Sequence, residues 1–134
     1  MKVLVADDDR VHVHMLSAML RKRGVEVIAA YDALQAWMAV VRTLPDAVIL
    51  DIQMPGGSGY EVLRKLRSSA KTGAVPVVVL SGSIDARQVR TVLDLGADEV
   101  LLKPVDLAQL YRVLTGLLGI PEEPNPAAHR DSRP

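Results

Sequence analysis

The sequence holds a small set of side chains that could do chemistry together: the acidic pair Asp7-Asp8, then Asp51, Ser81 and Lys103. Each stands immediately after a short apolar run, at 3–6, 47–50, 77–80 and 100–102. If those runs are parallel strands, the residues at their carboxyl ends share one cleft, the place where open parallel sheets receive ligands. Carboxylates gathered there repel one another, and a hard cation bound through oxygen relieves the repulsion. Magnesium (or manganese) accepts such a set, being content with one or two carboxylates, a carbonyl, waters and a phosphate oxygen. A lysine and a hydroxyl in the same cleft supply donors for the oxygens of a phosphoryl group in flight. The nucleophile is then a carboxylate and the product an aspartyl phosphate.

Positioning those residues requires an α/β fold. Runs rich in Val, Ile and Leu, at 3–6, 25–29, 47–50, 77–80 and 100–102, alternate with longer segments of helical period, the pattern of a parallel sheet covered on both faces. Helical stripes are formed by Val11, Met15, Ala18 and Met19, by Leu34, Trp37, Met38 and Val41, and by Leu107, Leu110, Tyr111, Leu114, Leu117 and Leu118. Asp32 with Gln35, Ser58 with Glu61 and Asp106 with Gln109 match the capping-box pattern. Gly24 fits a helix C-cap behind the basic Arg21-Lys22-Arg23. The expected order is βαβαβαβαβα. From residue 119 the sequence turns to four prolines and few apolar residues, so one domain is expected over 1–118 and a Pro-rich flexible tail or linker over 119–134.

Composition narrows the function classes. Lys+Arg and Asp+Glu both number 16, so no net charge draws the chain to nucleic acid or to anionic lipid. No apolar run approaches the roughly 18 residues of a membrane span. Cysteine is absent, which removes disulfide and thiolate-metal chemistry. Acidic residues follow the first apolar run too soon for a secretory signal, and a cytoplasmic protein is expected.

Asp7-Asp8, Asp51-Ile52-Gln53-Met54-Pro55 with Gly59, Ser81-Gly82, Gly96-Ala97-Asp98 and Lys103-Pro104 resemble, in order and at family spacing, the receiver domains of two-component response regulators. The resemblance covers about residues 2–118. It implies a flavodoxin-like (βα)5 fold with strand order 2-1-3-4-5 and helices on both faces. It implies that Asp51 is the phosphoacceptor, that Asp8, Asp51 and the backbone carbonyl of Gln53 are direct magnesium ligands, and that Asp7 acts mostly through water. Ser81 would contact the phosphoryl group, Lys103 would hold it, and Lys103-Pro104 would be a cis peptide. The implied partners are a histidine kinase or histidine phosphotransfer protein, and downstream a protein target or an effector domain. The face made by the fourth helix, fifth strand and fifth helix would carry readout or dimerisation, with no direct nucleic-acid or membrane contact.

This chain also departs from the family pattern. Val100 stands where many receivers carry Tyr or Phe, so the aromatic rotamer switch is missing; Val105 replaces a common Phe, and Gly56-Gly57-Ser58-Gly59 lacks the usual Asp. Other function classes compete with the phosphoacceptor. One is a receiver-fold interaction module with a vestigial site, which the chemically competent residue set disfavours. Another is a phosphohydrolase with an aspartyl nucleophile, like haloacid dehalogenase-like enzymes, but those want an Asp where Gln53 stands. A regulatory phosphoacceptor rather than a substrate-turning enzyme is expected. Of the remaining residues, Asp7-Asp8-Asp9 taken alone reads as a helix cap, and Ser81 alone as a turn residue. His12 and His14, two apart, share no helical face and read as surface histidines. Arg21-Lys22-Arg23 reads as a solvated helix end, and Trp37 with Met38 as core packing.

Overall fold

The computed structural model describes residues 1–54, 58–82 and 85–120. The elements run β1 (Lys2–Ala6), α1 (Arg10–Lys22), β2 (Glu26–Ala30), α2 (Ala33–Thr43), β3 (Ala47–Asp51), α3 (Gly59–Ser68), β4 (Val77–Ser81), α4 (Ala86–Asp94), β5 (Glu99–Leu102) and α5 (Leu107–Leu118). All strand pairings are parallel and the sheet order is β2-β1-β3-β4-β5, as the resemblance implied. β3 and β4 are buried at every residue, which is why their sequences show no polar alternation.

Alternation along the strands divides the core between the two faces. Val3, Val5, Ile49, Val78 and Leu80 pack with Leu16 and Leu20 of α1 and with Leu110 and Leu114 of α5. Leu4, Val48, Leu50, Val77 and Val79 pack with α2, α3 and Val92 of α4. Val100 is half-buried against this second face.

The expected stripe of α5 holds, with Leu110, Tyr111 and Leu114 buried, while those of α1 and α2 need correction. On α1 the core side is Val13, Leu16, Met19 and Leu20, while Val11 is 69% exposed and Met15 stands in solvent beside it. On α2 the core side is Ala33, Ala36, Ala39 and Val40; Leu34 is 60% exposed, Met38 and Val41 are exposed as well, and Trp37 is half-buried. Both helices carry apolar residues in two helical frames. Burial goes to the frame that seats the helix against the sheet, and on α2 that frame is mostly alanine.

Helix starts are held by side-chain caps. Asp9 accepts from the Val11 and His12 N–H groups, Asp32 from Gln35, Ser58 from Glu61, and Asp106 from Ala108 and Gln109. Gln35 answers the Tyr31 N–H, and a fully reciprocal capping box forms at Asp85 and Gln88, a pair the sequence reading passed over. Gly24 takes φ +82° just past α1, as its position suggested. α2 instead ends on Leu44, a left-handed residue at φ 47°. Arg23 is half-buried and lays its guanidinium 4.6 Å from the Tyr111 ring centroid, so it is not a purely solvated helix end.

Arg67 of α3 ties two loops together on the side of the sheet opposite the strand ends of interest. Its guanidinium donates to the carbonyls of Gly96 (2.9 Å), Gly73 (3.2 Å) and Val75 (2.7 Å) and pairs with Asp98 at 3.1 Å. Gly96, at φ +110°, faces that side chain so closely that a Cβ would lie 2.8 Å from Arg67 Cγ. α5 closes on Gly119, and residues 121–134 of the expected tail lie outside the described residues, as do Pro55, Gly56 and Gly57. Among the described residues no helix is long and apolar enough to cross a membrane.

Candidate functional site

Because the strands are parallel, β1, β3, β4 and β5 deliver their last residues to one edge. Ala6 pairs with Leu50, Asp51 with Leu80, and Ser81 with Leu102, which sets Asp7, Asp51, Ser81 and Lys103 beside one another at the carboxyl ends. Asp7, Asp51 and Ser81 are buried, Lys103 is half-buried, and Asp8 is exposed at the rim. Asp7, Asp8 and Asp51 each offer a carboxylate oxygen, and those atoms lie within 4.8 Å of one another. Three carboxylate oxygens and no nitrogen or sulfur ligand is the donor chemistry of a hard divalent cation, so the residues present fit one.

Lys103 joins the two buried acids. Its Nζ lies 3.0 Å from Asp7 Oδ2 and 3.1 Å from Asp51 Oδ2. The Asp51 carboxylate also accepts the Gln53 N–H on Oδ1 at 3.0 Å, and the Lys103 N–H donates to the Ser81 carbonyl at 2.7 Å. The Lys103-Pro104 peptide is cis. Asp51 is further fixed by α3: the Gly59 N–H donates to Ile52 O at 3.1 Å, and a Cβ on Gly59 would lie 2.5 Å from the Asp51 carbonyl oxygen. Glycine is required there by space, not by dihedral angle.

The two acids differ in acidity. Burial pushes Asp7 up, but the Asp9 N–H, then His12, then the Asp51 and Lys103 contacts outweigh it and hold its carboxyl down to about 2. Burial raises Asp51 too; there the Gln53 N–H and Lys103 compensate less, the Asp7 charge adds to the rise, and the net shift is upward. Burial pulls Lys103 down, yet both carboxylates pull it above its ordinary value, so it stays charged.

One residue of this cluster escaped the sequence reading. His12 is not a surface histidine: only 17% exposed, it sets Nδ1 2.7 Å from Asp7 Oδ2, while His14 points into solvent. Spacing within a helix could not reveal the contact, because Asp7 precedes the helix. The signal available was Asp9 as N-cap, which starts α1 so that His12 falls in its first turn, beside the strand end. His12 also borders a shallow apolar groove of about 230 Å³ lined by Val11, Met15, Lys103, Pro104, Val105 and Leu107.

The model of the response regulator receiver domain matches residues 3–115. The chain belongs to that family. This receiver is 38% identical over 111 residues to the response regulator PleD of Caulobacter vibrioides, a match covering 82% of this chain and 24% of PleD. It is 36% identical over 124 residues to the DNA-binding response regulator MtrA of Mycobacterium tuberculosis, covering 92% of this chain and 53% of MtrA. The receiver therefore spans about a quarter to about half the length of these relatives. Among solved structures it superposes with a TM-score of 0.81 on the receiver domain of a sensor histidine kinase from Pseudomonas aeruginosa, which has a magnesium ion coordinated in its active-site cleft. That pair is 29% identical, with 88% of this chain and 97% of the other covered.

Proposed function

We propose that this receiver is a phosphoacceptor switch in which Asp51 takes a phosphoryl group from a phosphohistidine of a histidine kinase or histidine phosphotransfer protein. The observation that carries it is the placement of Lys103 Nζ within 3.1 Å of Asp51, with Asp7 and Asp8 in the same cluster. An Asp51 carboxylate oxygen attacks phosphorus, the P–N bond of the donor breaks, and the imidazole leaves; water later returns the carboxylate by hydrolysis. Lys103 balances charge on the phosphoryl oxygens and the Ser81 hydroxyl contacts one of them. Asp8, Asp51 and the Gln53 carbonyl would hold a magnesium ion, with Asp7 acting through water. That ion would neutralise negative charge on the Asp51 carboxylate and the phosphoryl oxygens. The magnesium reported for the Pseudomonas receiver supports this assignment.

The apolar groove beside His12 lies next to Lys103, and we place the donor's docking there. Output runs through the α4–β5–α5 face to a protein target or an effector domain, or into a dimer. The DNA binding named for MtrA belongs to a longer protein, of which the match covers 53%; we assign none to residues 1–118 and propose that 119–134 serve as linker or tail. A histidine-kinase donor goes with the cytoplasm. The chain is regulatory and turns over no substrate besides its own aspartyl phosphate.

The test is intact-mass measurement after treatment with a small acyl phosphate and magnesium. One phosphate should add to the parent and none to Asp51→Asn, and a generic phosphate ester should not be hydrolysed. Acid-labile phosphate on Asp51→Asn would overturn the assignment, and turnover of the ester would point to a phosphohydrolase.

A further inference from the structure

The carboxylate of Asp7 is almost fully subscribed. An ionised carboxyl has about four lone-pair positions, two on each oxygen. Oδ2 meets both Lys103 Nζ at 3.0 Å and His12 Nδ1 at 2.7 Å, while Oδ1 takes the Asp9 N–H at 3.0 Å. With Lys103 Nζ and the Asp9 N–H both donating to it, the Asp7 carboxylate is the acceptor, and the 2.7 Å contact closes with the hydrogen on His12 Nδ1. Among the described residues these contacts close Oδ2, so a cation or a water bound to it meets Asp7 on Oδ1.

That arithmetic bears on which cation the pocket takes. Calcium favours six to eight oxygens, often with carboxylates bidentate; magnesium is smaller, stays octahedral and keeps several waters. An Asp7 whose Oδ2 is closed by two donors cannot chelate with both oxygens. We infer that His12 is a positioning and specificity-determining residue of the cation pocket: by closing Asp7 Oδ2 it keeps Asp7 from chelating, and so makes the pocket select magnesium over calcium. The inference rests on the proposed metal site and adds to it the part played by a histidine outside the carboxylate cluster. His12 acts through Asp7 and touches neither the phosphoryl group nor the ion.

Magnesium and calcium are titrated separately into the parent, His12→Leu, His12→Gln and His12→Asn, followed by amide shifts in 1H–15N spectra. Amides away from the cleft report whether each variant keeps the fold. Asn places an amide donor where Nδ1 stands, whereas Leu has none and Gln carries its donor one carbon farther out. The ratio of calcium to magnesium affinity should rise about tenfold in His12→Leu and His12→Gln, the lower end of what outer-sphere partners of metal ligands contribute, and return to within about threefold of the parent in His12→Asn. Long-range 15N spectra should show the parent His12 hydrogen on Nδ1. An unchanged ratio in folded Leu or Gln variants, with magnesium still bound, would overturn the inference and leave the metal site standing. A parent that binds neither ion would overturn the metal site itself.

Discussion

Lys103 Nζ lies 3.1 Å from Asp51 Oδ2, so the ammonium already touches the carboxylate that would receive the phosphoryl group. The same nitrogen reaches Asp7, and one side chain therefore offsets the repulsion of two buried acids. Removing it leaves both without their cation.

Lys103→Ala should accordingly cost about 2 kcal/mol at neutral pH, below the ~3–5 kcal/mol of a fully buried broken pair because Lys103 is 25% exposed. Magnesium should restore part of the loss, since a cation in the carboxylate cluster does the same electrostatic work. In the parent, magnesium at ten times its dissociation constant should add about 1.4 kcal/mol, and Asp8→Asn should remove most of that gain. Urea unfolding with and without magnesium measures all of these.

Asp7 and Asp51 should leave opposite marks on acid unfolding. A carboxyl whose folded pKa is lowered stabilises the fold above its unfolded value and loses that contribution as pH falls through the folded one. For Asp7 the window runs from about 4 down to about 2 and is worth about 2 kcal/mol. Asp51, shifted upward, is a net penalty when ionised, and that penalty lifts on acidification. Asp7→Asn should lower stability at pH 7 and flatten the decline below pH 4; Asp51→Asn should raise stability at pH 7 and steepen the decline. Urea midpoints at several pH values decide it, and identical profiles for the two variants would contradict the assignment.

Gly59→Ala should disturb the phosphoacceptor and not just the helix it opens. Its added methyl would meet the Asp51 carbonyl oxygen at 2.5 Å and Ile52 Cα at 2.7 Å, both backbone atoms that cannot swing aside. A loss of about 1–3 kcal/mol is expected, with slower phosphorylation of Asp51. Because the glycine's φ lies outside the left-handed region, Gly59→Ser should be no better tolerated than alanine.

Output should depend on Ser81 more than on Val100. Val100 is β-branched, stiff and half-buried against the α2–α4 face, too short to swing as an aromatic ring would. Ser81→Ala should leave Asp51 able to accept phosphate while uncoupling it from partner binding or dimerisation, and Val100→Ala should change coupling little. Hydrogen exchange with and without a beryllofluoride mimic reports this: protection should change in β4 and α4 of the parent and stay silent there in Ser81→Ala.

The sheet could be read from the sequence because each strand is a run of branched apolar residues, and the acids and lysine because they stand where those runs stop. The face of α5 could be read in the same way, but those of α1 and α2 could not. Val11-Met15 and Leu34-Met38-Val41 have the right period, and on α2 the larger side chains too, yet which of two apolar frames turns inward is settled by how the helix seats against the sheet. Leu44 carries no sign of its left-handed backbone, since a leucine there is a tertiary compromise, not a local preference. His12 was hidden for another reason: its partner belongs to a neighbouring strand end, and helical spacing speaks only of neighbours on the same helix.

The alanines along the inner side of α2 reverse the usual guide to mutational tolerance. In a saturation library of this chain, Leu34, Met38 and Val41 should accept lysine or glutamate with little loss of folded protein, since they already stand in water. Ala36 and Ala39, the smallest side chains of the helix, should reject almost everything larger, because enlarging either lifts the helix from the sheet. Hydropathy would rank those positions the other way round, so a substitution matrix built on residue type would misjudge this helix at nearly every turn.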